Sequence, residues 1–160
     1  MLPSASIPVI GFVAFRANTG KTTLLTKLLP LLKQRGLRVG LIKHAHHTFE
    51  IDKPGKDSYE LRKAGAQQTL VASRERWALI VETSANQSDP DLNELLKHLD
   101  QTQLDLILVE GFKHETFPKI ELHRHDLQSP WLFPEDDSII AIASDTSPPP
   151  WHRPALSRYQ

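Results

Sequence analysis

The chain has 160 residues, which corresponds to about one domain. Its 19 basic and 19 acidic residues balance, so no overall charge attracts it to nucleic acid or anionic lipid. It has no cysteine, which excludes disulfides, thiolate metal sites and cysteine nucleophiles. No apolar run approaches the roughly 20 residues of a membrane helix, and the N-terminus lacks a secretory-signal pattern, so we expect a cytoplasmic protein without a membrane anchor.

The first elements along the chain alternate between strand and helix patterns. A short apolar run at 9–14 predicts a strand buried on both faces. A leucine-rich stretch at 22–35 has helical spacing, with Pro30 as a predicted kink and Gly36 as a stop signal. Residues 37–43 form a second strand candidate.

The middle of the chain predicts two helices and a hairpin. Residues 57–60 read as a capping box, with Asp57 as the N-cap of a helix that ends near Ala64. Apolar runs at 69–72 and 77–82 predict a β-hairpin. Asp89 followed by Pro90 predicts the start of a helix that ends near Leu99.

The last third predicts three strands and a tail. Residues 104–109 and 139–143 are apolar and read as buried strands, whereas 119–123 alternates and reads as half-buried. The fold class is therefore α/β, with a mostly parallel central sheet and an added β-hairpin. We expect a nucleotide-binding domain over 1–145 and a proline-rich tail over 146–160.

The sharpest motif lies between the first strand and the first helix and predicts a phosphate-binding loop. It comprises Asn18, Thr19, Gly20, Lys21, Thr22 and Thr23. Backbone amides of such a loop and of the helix N-terminus converge on phosphate oxygens, while the lysine adds charge and the first threonine can bind Mg²⁺. The pattern departs from the usual one, because Phe15 stands where the first glycine belongs, so the entry turn must differ.

Acidic residues near strand ends are the candidates for holding Mg²⁺ or positioning water, since ligands of open α/β sheets bind beyond the carboxyl ends of the strands. Glu110 follows a buried strand, and Asp52 is the second candidate, whereas Asp105, near a strand start, reads as structural. Asp145 ends the last strand and either accepts hydrogen bonds from a guanine edge or forms a turn.

Two further groups of residues stay open at the sequence level. His44, His46 and His47 favour a loop that contacts phosphate or substrate over a metal site, since no cysteine or second cluster accompanies them. Lys113 reads equally well as a contact to an anion and as a solvated side chain.

Six segments together resemble one family closely, the molybdopterin-guanine dinucleotide biosynthesis adaptor proteins, MobB. The matching segments are residues 19–25, 40–47, 52–66, 71–73, 104–114 and 140–145. The resemblance covers roughly residues 9–145, and the segments around His44 and Glu110 are more specific to the family than the loop itself.

The resemblance implies a three-layer fold like that of P-loop NTPases and a homodimer. It also implies that the protein binds GTP with Mg²⁺, hydrolyses it weakly, and acts beside the guanylyltransferase MobA, which joins GMP to molybdopterin. It implies nucleotide contacts from Gly20, Lys21, Thr22 and Thr23, and metal or water positioning by Glu110 and Asp52. Arg62 and Arg74 are unsupported candidates for an arginine finger. The alternatives are a small-molecule kinase that uses the same loop, and an adaptor that binds nucleotide without hydrolysing it.

Overall fold

The computed structural model describes residues 2–45, 49–83 and 89–150. The chain divides into two compact units, the first formed by Met1–His44 with Leu92–Gln160 and the second by Ala45–Asp91. The predicted boundary between a 1–145 domain and a 146–160 tail stays a prediction, because residues 151–160 lie outside the described part of the chain.

The first unit is built on five parallel strands, as the sequence predicts. They are β1 (Val9–Val13), β2 (Val39–Lys43), β5 (Leu106–Glu110), β6 (Lys119–His123) and β7 (Ile139–Ser144). Their order across the sheet is β2-β5-β1-β6-β7, so the first strand lies at the centre. The carboxyl ends of β2, β5 and β1 therefore meet at one edge, where Lys43 pairs in register with Glu110 and Glu110 with Phe12.

Both faces of this sheet are covered by helices. Helix α1 (Lys21–Gln34) packs Leu25 and Leu32 against a cluster that includes Leu108 of β5. Helix α3 (Leu92–Leu96) packs both of its buried leucines on the opposite cluster, which includes Ile107 and Val109. Alternate residues of β5 thus point to opposite faces, and its near-continuous apolar sequence follows from that double burial.

Helix α3 differs from its prediction, because Asp89 and Pro90 precede the helix without capping it. The helix begins at Leu92, which is fully buried on the sheet and is the first residue of the chain's return to the first unit. After Leu96 the chain continues in turns with i→i+3 hydrogen bonds, such as His98 amide to Leu95 carbonyl. The Asp-Pro signal therefore lies two to three residues ahead of the observed helix start.

Strand β6 also differs, because it is buried rather than half-buried. Lys119 and Glu121 are 1% and 0% exposed. The Lys119 ammonium donates to the carbonyls of Lys113 and Glu115 and pairs with Asp136 at 2.6 Å. The Glu121 carboxylate accepts the amides of residues 132 and 133 at 2.8 and 2.9 Å. Loop backbone thus satisfies both charges, which makes their burial tolerable.

The second unit contains the predicted hairpin and one helix. Strands β3 (Gln68–Ala72) and β4 (Trp77–Val81) pair antiparallel, and α2 spans Asp57–Lys63. Asp57 is not the N-cap: Lys56 occupies that position and makes no side-chain cap bond. Gly55 turns the chain with a φ of +80°. Its backbone amide donates a hydrogen bond to the Glu60 carboxylate, with 3.2 Å between the nitrogen and Oε1.

One face of the hairpin is apolar and open. Leu70 lies opposite Leu79 and Ala72 opposite Trp77, so these side chains share a face. Leu70 and Trp77 are 63% and 68% exposed. Separately, within the ranges that the structure describes, no helix has the length and apolar character that crossing a bilayer demands.

Candidate functional site

The loop between β1 and α1 turns through left-handed residues at its end rather than at its start. Asn18 has φ +60° and Gly20 has φ +99°. The buried Thr19 hydroxyl donates to the Arg16 carbonyl at 2.8 Å and closes the turn. Phe15 takes no left-handed conformation, so this entry turn does not require the glycine that the usual pattern places there.

Helix α1 begins with its first amides directed out of the loop. Gly20 is the N-cap and supplies no side chain, and the first helical bond runs from the Leu24 amide to the Gly20 carbonyl. The amides of residues 21–23 therefore have no acceptor within the helix. Together with the positive end of the helix dipole, they form an environment suited to a phosphate group.

Glu110, the last residue of β5, faces this helix start. Its carboxylate accepts the Thr22 hydroxyl at 3.1 Å, and its side chain is only 10% exposed. The structure thus brings together Thr22 and Glu110, which the sequence paired from strand-end reasoning alone. A hydroxyl and a carboxylate at this distance are hard oxygen donors of the kind that Mg²⁺ prefers.

Two lysines, Lys21 and Lys43, interact with this carboxylate, and Lys113 lies near Lys21. The Lys43 ammonium lies 3.5 Å from Glu110 Oε1. Lys113 reaches the Phe15 carbonyl at 3.5 Å and lies 5.4 Å from the centre of its ring. Burial is the main cause that lowers the pKa of Lys21; Glu110 opposes the shift, while Lys43 and Lys113 add to it. Lys43 is not among the site residues predicted from the sequence. Its position at the end of a strand that neighbours β5 is nevertheless a signal that could have identified it.

The turn after Glu110 is conformationally unusual. Gly111 has φ +100°, and Phe112, a buried aromatic, has φ +55°. The Phe112 ring stacks on His44 at 4.6 Å, and the His44 amide donates to the Glu110 carbonyl. A bulky residue in the left-handed region is strained, and such strain is common at functional sites. His46 and His47 lie outside the described residues.

Asp52 lies in the second unit, in a cluster centred on Arg62. The buried guanidinium pairs with Asp52 at 2.7 Å, with Glu82 at 2.6 Å and with Glu50. The hydrogen bond from Arg62 lowers the pKa of Asp52, which is 8% exposed. Asp52 therefore already has a cation for a partner, and Arg62, considered as an arginine finger, is enclosed by carboxylates.

Asp145 follows β7 and lines a cavity of about 340 Å³ together with Thr19, Leu24, Leu122 and Arg124. Its carboxylate accepts the His125 amide at 2.9 Å, with Arg124 Nε 3.8 Å from the second oxygen. The lining of this open cavity contains both apolar and polar side chains, and Thr19 belongs both to it and to the loop. Asp145 as a base-reading residue stays a prediction.

The parallel sheet, its central first strand and the loop that leads into α1 are typical of the class of α/β proteins in which such a loop binds a phosphate. Comparison with known proteins narrows the class. The family model described as "Molybdopterin guanine dinucleotide synthesis protein B" matches residues 9–145. The chain therefore belongs to the MobB family.

Relatives and solved structures agree with this assignment. The chain is 54% identical over 146 residues to the molybdopterin-guanine dinucleotide biosynthesis adapter protein of Escherichia coli, covering 91% of this chain and 82% of that one. It is 45% identical to the Haemophilus influenzae adapter protein, covering 87% of this chain and 75% of that one. The crystal structure of Bacillus subtilis MobB superimposes with a TM-score of 0.68 at 28% identity, covering 88% of this chain and 82% of that chain.

Proposed function

We propose that this chain binds GTP with Mg²⁺ at the loop between β1 and α1 and acts as an adapter in molybdopterin guanine dinucleotide biosynthesis. Its partner in that role is the guanylyltransferase MobA, which joins GMP to molybdopterin. Family membership and the adapter names of the relatives support the pathway. The observation that carries the nucleotide site is the hydrogen bond between Thr22 and Glu110 at the open N-terminus of α1.

In this proposal the phosphates bind to the amides of residues 18–23, and Lys21 adds a charge to the β and γ oxygens. Thr22 and Glu110 hold Mg²⁺, with phosphate oxygens and water as the other ligands. This division of ligands fits the geometry, because no group of three or more His, Asp or Glu side chains converges within the described ranges. Asp52 is the weaker metal candidate because it is paired with Arg62.

The cavity beside Thr19 is the proposed site of the base, with Asp145 accepting the guanine N–H groups. Leu24 and Leu122 in its lining supply apolar surface that suits the face of a purine. The proposed hydrolysis is weak. Arg62 is paired with three carboxylates, so its positive charge is not available to stabilise a transition state. The open apolar face of the hairpin supports a homodimer, since such a face favours a protein partner.

Equilibrium binding of GTP and ATP, each with and without Mg²⁺, tests the proposal. We expect Mg²⁺-dependent GTP binding that Lys21→Ala weakens by roughly a hundredfold, because an ammonium-phosphate contact is worth about 1.5–3 kcal/mol. Lys27→Ala is the matched control, since Lys27 is an exposed lysine of the same helix. Unchanged affinity in Lys21→Ala would refute the site, and equal affinity for ATP would refute guanine selectivity and favour the kinase alternative.

A further inference from the structure

Lys43 has a position that the proposed roles leave unused. It is the last residue of β2, in register with Glu110 across the parallel pair. Its ammonium lies 3.5 Å from Glu110 Oε1, while half of its side chain is exposed to solvent. This contact is longer than a good charge-assisted hydrogen bond, so Lys43 is only loosely held. The flexible four-carbon stem allows the ammonium to reach another anion nearby.

The charge around Glu110 is unbalanced without a ligand. Lys21 lies within electrostatic range of Lys43, Lys113 and Glu110, so three ammonium groups and one carboxylate share this region, an excess of two positive charges. A nucleoside triphosphate with Mg²⁺ carries about two negative charges near neutral pH, whereas a diphosphate with Mg²⁺ carries about one, given the phosphate ionisation. The site is therefore matched in charge to the triphosphate complex.

The metal and Lys43 would share one carboxylate. A Mg²⁺ ion held by Thr22 and Glu110 would supply positive charge beside the terminal phosphates of a bound triphosphate. The cation's charge also weakens the attraction between Glu110 and Lys43. Lys113 is less suited to respond, because the Phe15 carbonyl and ring engage its ammonium away from the carboxylate.

We propose that Lys43 is the residue by which this chain distinguishes a nucleoside triphosphate from a diphosphate: it pairs with Glu110 in the free protein and with the terminal phosphate when the triphosphate binds with Mg²⁺. The inference rests on the proposed nucleotide site and deepens it. Removal of Lys43 leaves the amides, Lys21 and the Thr22–Glu110 pair in place, so diphosphate binding survives its loss.

The test compares GTP and GDP affinities, both with Mg²⁺, in the natural protein and in Lys43→Ala, Lys43→Arg, Lys21→Ala and Lys27→Ala. In Lys43→Ala we expect GTP to bind about tenfold more weakly and GDP to change less than about twofold, the lower end for a half-exposed charged contact. Lys43→Arg keeps the charge and preserves most of the preference. Lys27→Ala changes neither affinity.

The outcomes separate this inference from the proposed site. If Lys43→Ala weakens GTP and GDP equally, Lys43 only holds Glu110 in place and the inference is wrong. If neither affinity changes, Lys43 is a solvated lysine and the inference is also wrong. If Lys21→Ala leaves both affinities unchanged, the proposed nucleotide site itself fails. Circular dichroism of each variant confirms that the comparison is made on folded protein.

Discussion

The two units each concentrate charge around one central residue, with opposite composition. In the first unit Lys21 and Lys43 interact with a single carboxylate, Glu110, and Lys113 lies near Lys21. In the second unit a single guanidinium, Arg62, is surrounded by three carboxylates at hydrogen-bond distance. Arg62 forms three short ion pairs, whereas the Lys43 ammonium lies 3.5 Å from Glu110.

The difference distinguishes the proposed ligand site from a cluster that holds the second unit together. Arg62 pairs with Glu50 and Asp52 before α2 and with Glu82 after it, and so ties the helix to two separated segments. The lysines at Glu110 have contacts near 3.5 Å with a carboxylate or with carbonyls, which leaves them available to an anion. Both clusters have an excess of one sign of charge, and they differ in how closely their charged groups are paired.

Arg62→Ala is the change with the largest expected effect on stability. It leaves the buried Asp52 carboxylate without its cation, and we expect the melting temperature to fall by roughly 10 °C. Lys63→Ala is the control, because its ion pair with Glu50 is half exposed and contributes little. If Arg62→Ala kept its melting temperature and lost GTP affinity, Arg62 would belong to the ligand site and not to a structural cluster.

The stability of the same variant is also expected to depend differently on pH. Because Arg62 holds the pKa of Asp52 below its usual range, the pair stabilises the fold above about pH 4 and loses that contribution as the pH falls through the lowered native pKa. Arg62→Ala therefore reduces the slope of stability against pH below about pH 4, as measured by urea unfolding. An unchanged slope would contradict the assigned pairing.

Gly111→Ala has the intermediate effect. A Cβ at this position would lie 2.9 Å from the His44 Cβ, on a backbone with φ +100°. We expect a loss of about 1–3 kcal/mol and weaker GTP binding, because the turn that follows Glu110 must shift. Gly36→Ala is the matched control: its φ is +80°, but nothing lies within 4 Å of its added Cβ. The control loses stability alone, and equal effects on GTP affinity would show that Gly111 does not position the site.

Leu70→Glu has the smallest expected effect on stability. Its side chain is 63% exposed on the apolar face of the hairpin, so the folded chain hardly changes and the melting temperature stays within about 2 °C. The measurement is oligomeric state by light scattering, where we expect a dimer to become a monomer. Leu31→Glu, at a 53% exposed leucine of α1, is the control that keeps the dimer. A dimeric Leu70→Glu would move the proposed interface elsewhere.

The fold was predictable where the sequence pattern is local and strong. The continuous apolar run of β5 and the alternation of strands with helices indicate a parallel sheet, and both are observed. The burial of β6 was not predictable. Lys119 is buried because the carbonyls of Lys113 and Glu115 converge on it with Asp136, and those groups meet only in three dimensions.

The candidate site was likewise predictable from the sequence only in part. The contact of Thr22 with Glu110 follows from the rule that strand ends meet at one edge, which needs only the strand assignments. Asp52 was assigned to a metal because nothing in the sequence shows that Arg62, ten residues later, takes its carboxylate. Lys43 was overlooked for a related reason: a single lysine at a strand end has no local pattern, and its meaning comes from the neighbouring strand.

The two buried charges of β6 carry a consequence for sequence variation. Lys119 recognises the carbonyls of Lys113 and Glu115, and Glu121 the amides of residues 132 and 133. Every residue type offers a carbonyl, and every type except proline offers an amide. These backbone contacts therefore fix the path of two loops and, apart from Asp136, which pairs with Lys119, place no demand on the side chains of those loops. Related chains can diverge in those loops and keep the same shape, provided that positions 119, 121 and 136 keep their charges and proline stays out of 132 and 133.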